Sequence, residues 1–249
     1  MKTTLVFLHG LLGTQADWKK LSENLPHFDC IALDLPWHGS AKNYPVQDFD
    51  ETCAYVAKQI QRAVGNQPYF LVGYSLGGRI VLYYALYSQQ EKYNLQGLII
   101  EGGNLGLCDE EEKKVRWKND VFWAQRFSRE TAKSVLNDWY QQAVFAHLTE
   151  GQRRALIEQR QANCGDNIAQ MLLATSLAKQ PDLRPYVKNS PYPIYYFCGE
   201  RDHKFKQMAL DNQLNLSVIP NAGHNAHQEN PMAFAAQLNA LLRDKFIAF

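Results

Sequence analysis

The segment Gly73-Tyr74-Ser75-Leu76-Gly77 constrains this chain more than any other. A serine flanked by glycines stands between an apolar run at 69–72 and a helical pattern that starts at Gly78. A turn this tight, lifting a side chain above a sheet, belongs to a strand–turn–helix junction, where the small glycines let strand and helix approach closely. The surrounding pattern agrees. Near-continuous apolar strands are expected at 4–9, 28–35, 69–74, 97–101, 193–198 and 214–219, and helices at 50–64, 76–89 and 231–246. Strands apolar on both faces are those of a parallel sheet covered by helices on each side, so the predicted class is α/β.

One stretch breaks the alternation. Residues 104–189 show no strand, only helical patterns punctuated by Gly151, Gly165 and Pro181. Asp109, with Glu112 three residues on, reads as an acidic capping box opening the first of these helices. The predicted organisation is a core of 1–103 and 190–249 with an inserted helical cap, 104–189, over the carboxyl edge of the sheet, where open α/β sheets bind ligands. The charge balance, 26 Lys+Arg against 25 Asp+Glu, provides no global field for a nucleic acid. Leu5 to Leu8 is too short to span a bilayer or serve as an export signal, so no membrane insertion is expected. Five widely spaced cysteines without a CxxC pair suggest reduced, mostly buried thiols of a cytoplasmic protein. No metal, no cofactor and no obligate protein partner is expected.

A serine nucleophile or base needs a histidine, and the histidine an orienting acid. His224, in the Asn221–His224 turn after the last predicted strand, is favoured over His227 by its Gly-His step before the closing helix. Asp202, 22 residues before it, follows the penultimate strand. Its rivals are Glu101, at the end of an earlier strand, and Asp34, at the end of the second. The loop His9-Gly10-Leu11-Leu12-Gly13 can aim an amide inward, so the N–H groups of Leu11 and Leu76 are the expected oxyanion donors. His9 and His38, in loops at the same edge, read as structural, and His147 and His203 as surface or packing residues.

These motifs in order, HGLLG, DLPWHG, GYSLGG, GERD and AGH, resemble the α/β-hydrolase superfamily across the whole chain. More narrowly, GYSLGGR, WAQRF, DWYQQ, TSLAKQPDL and AGHNAHQENP resemble the menaquinone-pathway 2-succinyl-6-hydroxy-2,4-cyclohexadiene-1-carboxylate synthase family. Trp37 departs from the pattern, which has a small residue there. The resemblance implies a lyase that eliminates pyruvate from an enolpyruvyl cyclohexene with three carboxylates. In such an enzyme Arg79, Arg116 and Arg160 would bind carboxylates, Tyr74 would flank the serine and Trp139 would cover the ring. If the three arginines converge on one cleft, they form a local cation concentration that the near-neutral total conceals. The same residues leave open an esterase, thioesterase or C–C bond hydrolase using the Ser75–Asp202–His224 set, or a binding protein built on the fold.

Overall fold

The computed structural model describes residues 2–243. Among them six strands form one parallel sheet: β1 (Thr3–Leu8), β2 (Phe28–Leu33), β3 (Tyr69–Tyr74), β4 (Leu95–Glu101), β5 (Ile194–Gly199) and β6 (Asn215–Ile219). Their order is β2-β1-β3-β4-β5-β6. The helices are α1 (Lys19–Glu23), α2 (Phe49–Val64), α3 (Leu76–Leu86), α4 (Glu110–Arg129), α5 (Ala132–Trp139), α6 (Glu150–Arg160), α7 (Gly165–Ala174), α8 (Arg184–Lys188), α9 (His203–Asp211), α10 (Ala226–Glu229) and α11 (Pro231–Arg243). The expected extension of α11 to 246 lies outside the described residues.

The two-residue period of a strand divides each central strand between two cores. Val6 and Leu8 of β1, Tyr69 and Leu71 of β3, Leu98 and Ile100 of β4, and Tyr196 and Cys198 of β5 pack with α2, α3 and α9 on one face. Leu5 and Phe7, Phe70 and Val72, Ile99, and Tyr195 and Phe197 pack with Trp18, Leu21 and α11 on the other. Each of the Val, Leu, Ile and Phe side chains among them, removed from water, contributes about 1.5–3 kcal/mol. The outer strands differ from expectation: β2 and β6 are largely half-buried, with Asp29 and Asn215 exposed, because a sheet edge is covered less completely than its centre. The thiols, expected to be mostly buried, divide: Cys53 and Cys198 are buried, Cys30 is half-buried, and Cys108 and Cys164 are exposed.

Helices occupy the chain between β4 and β5, and they build a third core. Trp123, Phe127, Val135, Leu136, Tyr140, Ile157, Ile168 and Leu172 pack together with Leu12, which comes from the loop after β1. Asp109 caps α4 by accepting a hydrogen bond from the Glu112 N–H at 2.9 Å. Among the described residues the reciprocal Glu112 bond of a full capping box is absent, and the Glu110 and Glu111 carboxylates instead meet Lys113 and Lys114.

Candidate active site

Ser75 joins β3 to α3 at φ 50°, ψ −108°, a left-handed conformation that non-glycine residues rarely adopt. Close packing of the neighbouring glycines enforces it. A Cβ on Gly77 would lie 2.2 Å from the Leu8 carbonyl oxygen, and one on Gly73 would lie 2.5 Å from that of Gly77. The Ser75 N–H donates to the Glu101 carbonyl at 2.8 Å, which ties the turn to the end of β4. Leu76 begins α3, so its N–H has no acceptor one turn back and is free to face an anion.

His224 bridges the serine and an acid. Its Nδ1–H donates to Asp202 Oδ2 at 2.6 Å, which leaves Nε2 to accept from the Ser75 hydroxyl at 3.2 Å. His224 and Asp202 are both buried. Asp202 also caps α9, its Oδ1 accepting from the Phe205 N–H at 3.4 Å, and Phe205 stacks on His224 with centroids 4.9 Å apart. The rival acids are engaged elsewhere. The Asp34 carboxylate takes hydrogen bonds from the Gln15 N–H and from the N–H and hydroxyl of Ser40, which hold it below the usual carboxylate range against the opposing effect of burial. Glu101 is bonded to His227, at 2.7 Å from ring Nδ1 and 3.0 Å from its backbone N–H. Glu101 and His227, the rivals of Asp202 and His224, have thus paired with each other.

A cavity of about 310 Å³ opens beside this group, bounded by Gly10, Leu11, Tyr74, Trp139, Phe145 and Arg160 among others. Burial pushes the Tyr74 phenol well up, so its hydroxyl remains a neutral donor; its ring lies 5.3 Å from that of His224. Trp139 is half-buried, edge-on to Trp123 at 5.1 Å.

The three arginines do not share this cavity, contrary to the expectation of one cleft. Arg160 lines it but is bound to Asp17 through two bonds of 2.7 Å. Burial opposes the Arg160 charge, yet Asp17 outweighs burial and holds the guanidinium above its ordinary range. Arg79 lies apart, buried, donating to the Thr175 carbonyl and packing 5.5 Å from Phe49. Burial and then nearby Arg116 lower Arg79 to about 9, so it remains charged at neutral pH. Its Nη1 has no partner among the described residues. Arg116 holds Asp120 at 2.8 Å, and Asp120 takes a further bond from Ser176. The separation follows from topology. Arg79 rides on α3, whereas Arg160 ends α6 and is drawn to Asp17 after β1.

Several residues near the site escaped sequence reasoning. Phe145 stands edge-on to His224 at 6.1 Å. His147 bonds to Glu229 at 3.0 Å, and Glu229 in turn accepts from the N–H groups of Gly223 and Asn225, so this histidine is no bland surface residue. No local pattern marks Phe145 or His147. Phe205 had a signal: it is the third residue of a helix capped by Asp202.

Loop histidines 9 and 38 are structural, as expected. The Leu35 N–H donates to His9 Nε2 at 3.0 Å, and the Leu12 N–H to His38 Nε2 at 3.3 Å. A protonated ring could not accept these bonds. Burial lowers both, His38 to about 3. The folded state therefore binds fewer protons than the unfolded chain below the ordinary histidine range near 6.5. Stability is fully present above that pH and falls as the pH drops toward 3, by about 1.4 kcal/mol per pH unit for each proton taken up. Urea unfolding at pH 7, 6 and 5 is expected to show this slope, with His38→Gln flattening it. Trp37, in the same loop, sits at φ 65° with its indole N–H donating to the Val46 carbonyl, so the bulky residue occupies a left-handed position.

The alpha/beta hydrolase fold family matches residues 3–231. A Haemophilus influenzae protein provisionally named 2-succinyl-6-hydroxy-2,4-cyclohexadiene-1-carboxylate synthase is 59% identical over 240 residues, 96% of this chain and 97% of its own. The Serratia proteamaculans protein of that name is 45% identical over 238 residues, 96% of this chain and 92% of its own. Among solved structures, MenH from S. aureus superposes with a TM-score of 0.88 at 25% identity, covering 98% of this chain and 94% of that one.

Proposed function

Because the chain belongs to the 2-succinyl-6-hydroxy-2,4-cyclohexadiene-1-carboxylate synthase family, on the alpha/beta hydrolase fold, we propose that it is a lyase of menaquinone biosynthesis. It eliminates pyruvate from 2-succinyl-5-enolpyruvyl-6-hydroxy-3-cyclohexene-1-carboxylate. The observation that carries this reading is the Asp202–His224–Ser75 chain beside a cavity that offers an arginine, a neutral tyrosine hydroxyl and aromatic walls.

The proposed reaction begins when Ser75 takes the proton from the ring carbon that bears the succinyl group, passing its own proton to His224 Nε2. Asp202 stabilises the imidazolium so formed. The electron pair left on carbon moves onto the succinyl carbonyl, whose developing oxyanion is met by the Leu11 and Leu76 amides. Its return drives the ring double bond to shift and breaks the bond from carbon 5 to oxygen. Enolpyruvate departs, takes up a proton and becomes pyruvate, and the ring becomes the 2,4-diene. No bond forms between Ser75 and substrate.

Three carboxylates call for cations, and the planar guanidinium suits them. Arg79, with one buried N–H group unpartnered, supports a role in holding a carboxylate, assisted by Arg116. Arg160 and Trp139 serve the ring from the cap, residues 104–189, with Arg160 acting beside Asp17. The test is pyruvate release from the enolpyruvyl cyclohexene substrate. Wild type is expected to turn it over, and Arg79→Ala to lower kcat/KM by about tenfold to a hundredfold, the scale of a lost charge-assisted hydrogen bond. Absence of pyruvate release by wild type, with turnover of simple esters in its place, would move the assignment to a hydrolase.

A further inference from the structure

Behind the proposed triad stands a second acid–histidine pair with no role in the reaction as written. Glu101 and His227 are 1% exposed each, and their two hydrogen bonds leave no room for water between them. Stripping both groups of water is costly, so their retention between two working parts of a site calls for a reason.

The location supplies it. Glu101 is paired in register with Tyr74, and its carbonyl accepts the Ser75 N–H. The following residue, Gly102, has φ 57°, and a Cβ there would lie 2.8 Å from the His224 ring. The dipeptide 101–102 therefore touches the main chain of Ser75, the ring of His224 and the ring of His227. His227 follows His224 by three residues and is clamped in turn. It stacks on Trp18 at 3.9 Å and meets the edge of Tyr74 at 5.0 Å. Tyr74 lies between the two imidazoles, in ring contact with both.

We propose that Glu101 and His227 are a positioning pair that fixes the reach of His224 Nε2 to the Ser75 hydroxyl. Two bonds from one residue to one carboxylate define both distance and direction, and they join the end of β4, to which the serine turn is tied, to α10, which follows the loop that carries the base. The 3.2 Å contact of His224 with Ser75 joins segments 149 residues apart in sequence, so tertiary contacts such as these, and not the local chain, set its length. The inference rests on the proposed lyase reading for its kinetic readout, although its spectroscopic readout does not.

The experiment compares wild type with Glu101→Gln, with His227→Phe, which keeps the stack on Trp18, and with the double variant, each first shown to be folded by thermal melting. Both single variants are expected to lose about tenfold to a hundredfold in kcat, the scale of a sub-ångström to ångström misplacement, with KM within about twofold. The double variant should lose no more than either single one, because the two residues act as one unit. His227→Gln, which retains a donor, should recover part of the loss. In proton NMR the downfield Nδ1–H resonance of His224, assigned by its disappearance in His224→Ala, should shift or broaden in the variants. An unmoved resonance together with kcat within twofold of wild type would overturn the proposal, as would losses that multiply in the double variant. If wild type releases no pyruvate, the lyase reading fails, and the resonance alone decides the positioning role.

Discussion

Alanine at Ser75 or at His224 is expected to slow pyruvate release by about 10³–10⁴-fold, the upper part of the range for a positioned acid–base group. His224 Nε2 meets the Ser75 hydroxyl at 3.2 Å and Nδ1 meets Asp202 at 2.6 Å, so the proton path has one route. Removal of either end of that route removes the whole of it. The double variant Ser75→Ala/His224→Ala should therefore be no slower than the singles, because groups that act as a unit are not additive. Steady-state release of pyruvate from saturating substrate measures this. Substrate affinity should change little, since the cavity walls are supplied by other residues. Rapid quenching of wild type should find no covalent adduct on Ser75 along the productive path. An adduct formed and consumed at the turnover rate would replace the general-base mechanism with a nucleophilic one.

The largest expected effect on stability comes from Asp17→Ala. The Asp17 and Arg160 side chains are 3% and 7% exposed, joined by paired bonds of 2.7 Å. Deleting the carboxylate leaves a buried guanidinium without its counter-charge, which costs about 3–5 kcal/mol. At about 2–4 °C per kcal/mol for a chain of this size, the melting temperature should fall by about 6–20 °C. Arg160→Met in the Asp17→Ala background should recover much of that, because it removes the stranded charge and fills its volume with apolar atoms. Differential scanning calorimetry of the two variants separates this account from one in which Asp17 acts only through its bonds to Thr14 and Gln159. In that case the second substitution would restore nothing.

The parts of the site that follow from chain-local rules were legible in the sequence. A serine between glycines after an apolar strand announces the turn at Ser75. Asp202 and His224 are marked by their place after β5 and β6, and the structure joins them to Ser75 by hydrogen bonds. Strand positions were recoverable within one or two residues, because β1, β3, β4 and β5 are buried on both faces and so read as unbroken apolar runs. The edge strands β2 and β6 carried the same signal without the same burial, since composition does not reveal how many neighbours a strand has. Long-range pairing was invisible. Glu101 and His227 were each weighed as substitutes for a triad member, and nothing within a few residues of either shows that the other is its partner. Arg160 failed to join Arg79 for a similar reason. Its spacing in α6 says nothing of Asp17, 143 residues earlier.

Leu12 has a wider consequence. It belongs to the loop after β1, one residue beyond Leu11, yet its side chain is buried in the core built by the helices between β4 and β5. Those helices are therefore not an interchangeable module. Excising them, or grafting those of a distant relative in their place, would strip the packing from one side of the HGLLG loop and slacken the Leu11 amide. A chimera of this kind would inherit an intact serine elbow and, on the proposed reading, a misdirected oxyanion donor at Leu11. On the proposed reading, substrate range on this scaffold is coupled to catalytic competence through Leu12 and the Asp17–Arg160 pair, so redesign of the pocket has to carry the loop and its helical packing together.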